Sequence, residues 1–155
     1  MAQGQKQVRI IEPLERFVNR INLVGCYARV SSDSEDQLNS YNNQVDFYES
    51  YVNSLENSKL VKIYTDEGIT GTRMDKRDGF LQMIEDCRKG LINTIITKSI
   101  SRFARNITET LSVVRELKSI GVSVYFMTEK IDTAKMGSEM MLAVYDACAE
   151  IESKA

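Results

Sequence analysis

Four short runs of β-branched and apolar residues, each followed by a longer stretch with helical spacing, constrain the fold of this chain more than any other feature. The strand-like runs are residues 23–28, 60–64, 92–97 and 122–127. Apolar residues three and four apart predict helices over 36–55 and around 78–88, and a third that is capped at Asn106 and ends at Gly121. Strands that alternate with helices predict an α/β fold, with a mostly parallel central sheet of four to five strands and helices on both faces.

The segments between these elements have compositions typical of loops and caps. Residues 65–73 contain two glycines and are predicted to be a loop, and Gly90 is expected to end the preceding helix. Residues 98–105 form a polar break after the third strand, which we expect near the centre of the sheet. Glu109 stands three residues after Asn106, where its side chain can reach back in a capping box. Residues 129–137 are expected to form a polar loop with a short edge strand.

Composition narrows the class of protein. The 155 residues suffice for one domain, and the sequence has neither an apolar run long enough to span a membrane nor a signal-peptide pattern. Three scattered cysteines without a CxxC pair, and no histidine, exclude a typical zinc site and favour a cytoplasmic protein with reduced thiols. The net charge of −2 argues against strong DNA binding by this part alone.

The two ends of the chain differ from its middle. Residues 1–22 are predicted to be an N-terminal arm, with a helix that begins near Pro13. A last helix is predicted from Ser138, and its apolar residues occupy more than one face, so we expect it to pack on a partner chain as well. The sequence stops inside this pattern without a stop signal. We therefore expect residues 23–155 to be a domain that is cut within or just after its last helix.

The stretch VGCYARVSS, residues 24–32, combines a buried strand with a polar end. Arg29 and Ser31 are two apart and share a face at the carboxyl end of the strand, where open α/β sheets bind ligands. A guanidinium grips a phosphate while a hydroxyl attacks it. The negative charge of a phosphodiester could be stabilised without a metal by Arg77 and by the pair Arg102 and Arg105. Taken alone, these arginines also fit ordinary surface positions, and Ser31 also fits a turn.

Four motifs together carry a resemblance to a known family. YARVSS followed by SYNNQ at residues 40–44 resembles the catalytic domain of the serine site-specific recombinases. YTDEGITGT, KRDGF and KSISRFARN resemble the large serine recombinase branch, which includes integrases and transposon recombinases. The resemblance extends from about residue 23 to the end of the chain.

The resemblance implies a resolvase-like catalytic domain whose separate DNA-binding domains are absent from this sequence. It implies that Ser31 attacks a DNA phosphate to give a 5′-phosphoserine link and a free 3′ hydroxyl. Arg29, Arg77, Arg102 and Arg105 then correspond to the arginines that hold the phosphate. The implied reaction needs no cofactor, ATP or divalent metal. It is carried out on double-stranded DNA by dimers that join into a tetramer, and the last helix makes the dimer contact.

Four further residues lie at motif positions of the family, one of them as a departure. Gln44 corresponds to a glutamine near the active site, and Asp66 and Glu152 correspond to supporting or structural positions. Ser101 stands where the smaller resolvases usually carry an aspartate, which leaves the identity of the general acid or base open.

Three other functions fit the sequence less well. A cysteine-dependent phosphatase needs Cys-x5-Arg, and none of the three cysteines has an arginine six positions on. A nucleotide-binding domain needs a Walker loop or a G-x-G-x-x-G, and neither is present. A non-catalytic dimerisation module needs none of the arginines that the motifs contain.

Overall fold

The computed structural model describes residues 20–31, 34–68, 77–103 and 107–135. Within these ranges lie five strands, four helices and one 3₁₀ turn. In chain order they are β1 (Asn22–Ser31), α1 (Ser34–Asn53), β2 (Ser58–Gly68), α2 (Asp78–Arg88), β3 (Thr94–Thr97), α3 (Ile100–Phe103), α4 (Ile107–Ser119), β4 (Ser123–Phe126), β5 (Ile131–Asp132) and the 3₁₀ turn Thr133–Lys135.

The sheet has the strand order β2-β1-β3-β4-β5. The first four strands are parallel, and β5 is an antiparallel edge strand beside β4. The predicted α/β fold, the central place of β3 and the short edge strand are thus confirmed. The chain passes from β1 to β2 on one side and from β3 to β4 on the other. The carboxyl ends of β1 and β3 therefore form the switch point at which ligands bind in open α/β sheets.

Alternating side chains of the strands supply two separate cores. One face packs against α2 and α4 in an aromatic cluster in which Phe80 and Phe103, and Phe103 and Phe126, meet edge to face. The other face packs against α1 and contains Val24, Cys26, Ala28, Tyr48, Val52 and Ile96. The sheet is therefore covered on both faces, as a parallel sheet requires.

The ends of the helices follow from local chemistry. Helix α2 covers the predicted 78–88, and Gly90 follows it with a φ of +78°, a conformation that costs glycine little. Gly121 plays the same part after α4, with a φ of +82°. Both glycines fulfil the predicted stop.

Two predicted loops are wrong in part. Residues 65–68 continue β2 because Thr65 to Gly68 pair in register with Ala28 to Ser31 of the long strand β1. Residues 100–103 form the single turn α3 rather than an open break, because Ile100 and Phe103 bury their side chains in the core.

The predicted last helix lies outside the described residues, and so does the predicted arm up to residue 19. At the described end of the arm, Arg20 donates to the carbonyl oxygens of Asn93, at 2.6 Å, and of Gly121. This guanidinium therefore ties together the chain just before β3 and just before β4, at the amino edge of the sheet.

Candidate active site

Strand β1 extends beyond the carboxyl end of its neighbour β3, and side chains make hydrogen bonds to the backbone carbonyls of β1 there. Strand β3 ends with Thr97 opposite Tyr27, so residues 28–31 have no partner in β3. The carbonyl of Tyr27 accepts hydrogen bonds from the hydroxyls of Thr97, at 3.1 Å, and Tyr48, at 3.2 Å. The amide of Gln44 donates to the carbonyl of Arg29 at 3.1 Å. Helix α1 thus holds the backbone that leads to Ser31.

The turn α3, directly beside this end of β1, carries Ser101 and Arg102. Both side chains are exposed, and the Ser101 hydroxyl lies 3.0 Å from that of Ser99. The carboxylate of Glu129, in the turn after β4, accepts a hydrogen bond of 3.1 Å from the backbone N–H of Ile100, where α3 begins. Glu129 therefore fixes the front of the turn that presents Arg102.

Arg77 occupies a different environment from the other arginines. Its side chain is only 6% exposed, and its guanidinium lies 3.8 Å from the centre of the Phe80 ring. It forms an ion pair of 2.7 Å with Glu109 and donates to the carbonyl of Phe103, the last residue of α3. The guanidinium is therefore buried among protein groups on the side of the sheet that α2 and α4 cover.

Asp66 joins β1, β2 and the beginning of α2. Its carboxylate accepts hydrogen bonds from the Tyr27 hydroxyl at 2.7 Å and from the backbone N–H groups of Gly79 and Phe80 at 2.7 and 2.9 Å. Two of the N–H groups that a helix start leaves without intrahelical partners are satisfied in this way. The contacts of Asp66 are therefore structural, and they hold the beginning of the helix that Arg77 directly precedes.

Two tyrosine hydroxyls at the site stay protonated at neutral pH. Burial, strengthened by the Asp66 carboxylate, raises the pKa of Tyr27 to about 12. Burial also raises the pKa of Tyr48, and a backbone hydrogen bond from Lys98 and the charge of Arg102 offset only part of that rise. Both hydroxyls therefore act as hydrogen-bond donors. Arg102 lies close enough to Tyr48 for its charge to affect the pKa of that hydroxyl.

The nine predicted site residues are described to different extents. Arg29, Gln44, Ser101 and Arg102 lie at the carboxyl edge of β1 and β3, and Asp66 and Arg77 lie beneath it. Ser31 ends β1 in register with Gly68, but its side chain, like Arg105 and Glu152, lies outside the described residues.

Sequence reasoning assigned no site role to Glu109, Glu129, Thr97 and Tyr48. A polar residue just after the carboxyl end of a strand was the available signal for Glu129. Within the described ranges, no group of three or more acidic or cysteine side chains is arranged to hold a metal ion. In the same part of the chain, no helix combines the length and the apolar character needed to cross a membrane.

Fold and site together define an open α/β domain with an arginine-bearing switch point, a layout suited to a phosphate ester. Residues 24–155 match the sequence model described as "Resolvase, N terminal domain", and the chain belongs to that family. Comparison with curated proteins finds the transposon Tn552 resolvase of Staphylococcus aureus, 31% identical over 134 residues, which cover 81% of this chain and 57% of the relative. The serine recombinase gin of Escherichia phage Mu is 29% identical over 100 residues, 64% of this chain and 50% of the relative. The chain spans about half the length of the curated relatives it matches.

Solved structures agree with the family. A resolvase family site-specific recombinase from Streptococcus pneumoniae is 27% identical, with a TM-score of 0.66 over 86% of this chain and 89% of that one. The N-terminal catalytic domain of TP901-1 integrase, at 23% identity, has the same fold, with a TM-score of 0.62 over 84% of this chain and 96% of that one. The predicted resemblance and fold class are confirmed.

Proposed function

We propose that this chain is the catalytic part of an enzyme for site-specific DNA recombination, in which Ser31 is the nucleophile. The observation that carries the proposal is the meeting of two segments at the switch point. The end of β1, with Arg29 and Ser31, lies beside the turn α3, with Arg102. The two arginines at the edge where Ser31 ends its strand suit attack by a serine hydroxyl on a phosphodiester.

The proposed reaction exchanges one phosphate ester for another. The Ser31 hydroxyl gives up its proton as its Oγ forms a bond to phosphorus. The bond from phosphorus to the 3′ oxygen breaks, and that oxygen takes up a proton and leaves as a 3′ hydroxyl, so the step has no net gain or loss of protons. The 5′ phosphate stays on the serine, so attack by a new 3′ hydroxyl reverses the step and reseals the strand. Arg29, Arg102 and Arg105 stabilise the charge that develops on the phosphate.

Arg77 belongs to the same set of arginines by its motif. Its contacts with Glu109 and Phe103 support an indirect contribution in the conformation described, through the turn α3. Gln44 supports the reaction through the backbone of Arg29, and Asp66 through the start of α2.

The substrate in this proposal is double-stranded DNA, and self-association as a dimer and then as a synaptic tetramer brings two duplexes together. The proposed chemistry conserves the phosphodiester bond energy in the phosphoserine link, so it requires no ATP. In this proposal the arginines stabilise the phosphate charge, so the reaction requires no divalent metal. A cytoplasmic location fits the free thiols of Cys26 and Cys87.

The test uses the full-length protein and its own recombination site, nicked so that resealing fails. The trapped complex is digested, and the DNA-linked peptide is identified by mass spectrometry. We expect a 5′-phosphate adduct on Ser31, no adduct for Ser31→Ala, and an unchanged yield for the neighbouring Ser32→Ala. An adduct on Ser32 or Ser101 would keep the reaction and refute the assignment of the nucleophile. Absence of any adduct, with the DNA shown to be bound, would refute the proposed function.

A further inference from the structure

Two arginine–glutamate pairs join the same two helices at opposite ends. Arg77, at the start of α2, pairs with Glu109 in the first turn of α4, and Arg88, in the last turn of α2, pairs with Glu116 further along α4. The second pair is solvent-exposed, with side chains 51% and 42% exposed, whereas the Arg77 side chain is 6% exposed. The two pairs differ in a second respect, because Arg77 also contacts Phe103 of the turn that carries Arg102.

We propose that Glu109 is a positioning residue for the recombination reaction, which it serves by holding Arg77 against the end of the turn that carries Arg102. This inference rests on the proposed function. It assigns a role to the carboxylate that pairs with Arg77.

The first step of the reasoning concerns the charge of Arg77. A guanidinium buried between the Phe80 and Tyr27 rings, whose centres lie 3.8 and 5.7 Å away, is stable there only if a carboxylate compensates it. Glu109 is that carboxylate, at 2.7 Å. Without its charge, the guanidinium of Arg77 would turn toward water and release its other contacts.

The second step concerns what Arg77 holds. One nitrogen of the planar guanidinium donates to Glu109, and the other terminal nitrogen donates to the carbonyl of Phe103. Phe103 is the last residue of α3 and directly follows Arg102. The forked shape of the group allows both bonds at once, which a lysine ammonium cannot reproduce with the same geometry.

The third step concerns the turn as a whole. Glu129 fixes its beginning through the N–H of Ile100, and Arg77 fixes its end through the carbonyl of Phe103. A four-residue helix has too few internal hydrogen bonds to set its own position. Catalytic groups misplaced by about 1 Å lose on the order of 100-fold in rate. The ion pair of Glu109 therefore affects the placement of Arg102.

The experiment compares Glu109→Gln with the matched control Glu116→Gln in the full-length protein. Each variant is assayed for binding of the nicked site and for the rate of adduct formation. We expect Glu109→Gln to form the adduct at least tenfold more slowly, with DNA affinity within twofold of the wild type. Glu116→Gln should change neither. Arg77→Lys combined with Glu109→Gln should be no slower than the slower single variant, because both act through one contact.

A second readout does not depend on catalysis. Amide resonances of residues 101–103 in the ¹⁵N spectrum of this chain should shift in Glu109→Gln and remain in place in Glu116→Gln. If Glu109→Gln does not fold, Glu109→Asp takes its place in both measurements. Its side chain keeps the charge but is too short to reach Arg77 at 2.7 Å, so the same changes are expected with a smaller size.

The outcomes separate the inference from the function on which it rests. A wild-type adduct together with an unchanged or faster rate for the Glu109 variant would overturn the inference alone. Equal slowing by the Glu116 control would overturn it as well, since a general loss of stability would then explain the effect. Absence of a wild-type adduct on bound DNA would overturn the proposed function and the inference together.

Discussion

Replacing Asp66 by alanine should destabilise this domain more than any change to an exposed carboxylate. The substitution removes the acceptor of three hydrogen bonds, from the Tyr27 hydroxyl and from the N–H groups of Gly79 and Phe80. Loss of the two contacts at the helix start is comparable to loss of a cap, about 1–2 kcal/mol. The buried Tyr27 hydroxyl left without an acceptor adds about 1–3 kcal/mol. The expected loss in the free energy of unfolding is therefore about 2–5 kcal/mol.

Urea unfolding monitored by circular dichroism measures this loss, provided that the dependence of the free energy on urea stays the same between variants. Asp78→Ala is the matched control, because Asp78 is exposed in the first turn of the same helix, where its charge contributes about 0.3–1 kcal/mol. Tyr27→Phe removes the hydroxyl alone and isolates its share. A loss for Asp66→Ala no greater than that of Asp78→Ala would refute the reasoning.

Three further predictions concern protonation, reactivity and packing. The hydrogen bond from Tyr64 lowers the pKa of Asp86, so its stabilising contribution is present above the unfolded-state pKa and is lost as the pH falls through the folded-state value. Acid unfolding curves should show a weaker pH dependence in Asp86→Asn. Burial raises the pKa of Cys26 and Cys87 to about 12, so neither should react with iodoacetamide at pH 8 until urea unfolds the protein, as mass spectrometry would show. Gly79→Ala should lower the unfolding free energy by more than about 1 kcal/mol in urea melts, because its Cβ would lie 2.3 Å from a backbone oxygen.

The periodicity of the sequence was sufficient to predict most of this fold. The β-branched run that contains β3 and the apolar spacing of α2 are local patterns, and each formed the element that its pattern predicts. The extension of β2 through Asp66 was missed because Thr65–Gly68 has the composition of a turn. Pairing with β1, a contact across more than thirty positions, overrides that local preference.

The meeting of the two exposed segments of the candidate site could be predicted from the sequence, whereas the buried contacts of Arg77 could not. Parallel topology alone implied that the end of β1 and the segment after β3 would meet, and they do. The burial of Arg77 was not predictable, because an arginine that precedes a helix usually faces water. Its partner Glu109 lies 32 positions further along the chain, and no local pattern links the two.

Residues 41–53 of α1 contain fewer fully buried side chains than α2 does, and this has a consequence for local unfolding. Helix α2 buries Phe80, Met83, Ile84, Asp86 and Cys87, whereas Tyr48 and Val52 are the fully buried side chains among residues 41–53 of α1. Detaching residues 41–53 of α1 exposes less apolar surface than global unfolding does, and the amides of these residues should exchange hydrogen with solvent through such an opening. Because Gln44 of this helix binds the backbone two residues before Ser31, each opening event would also release the end of β1.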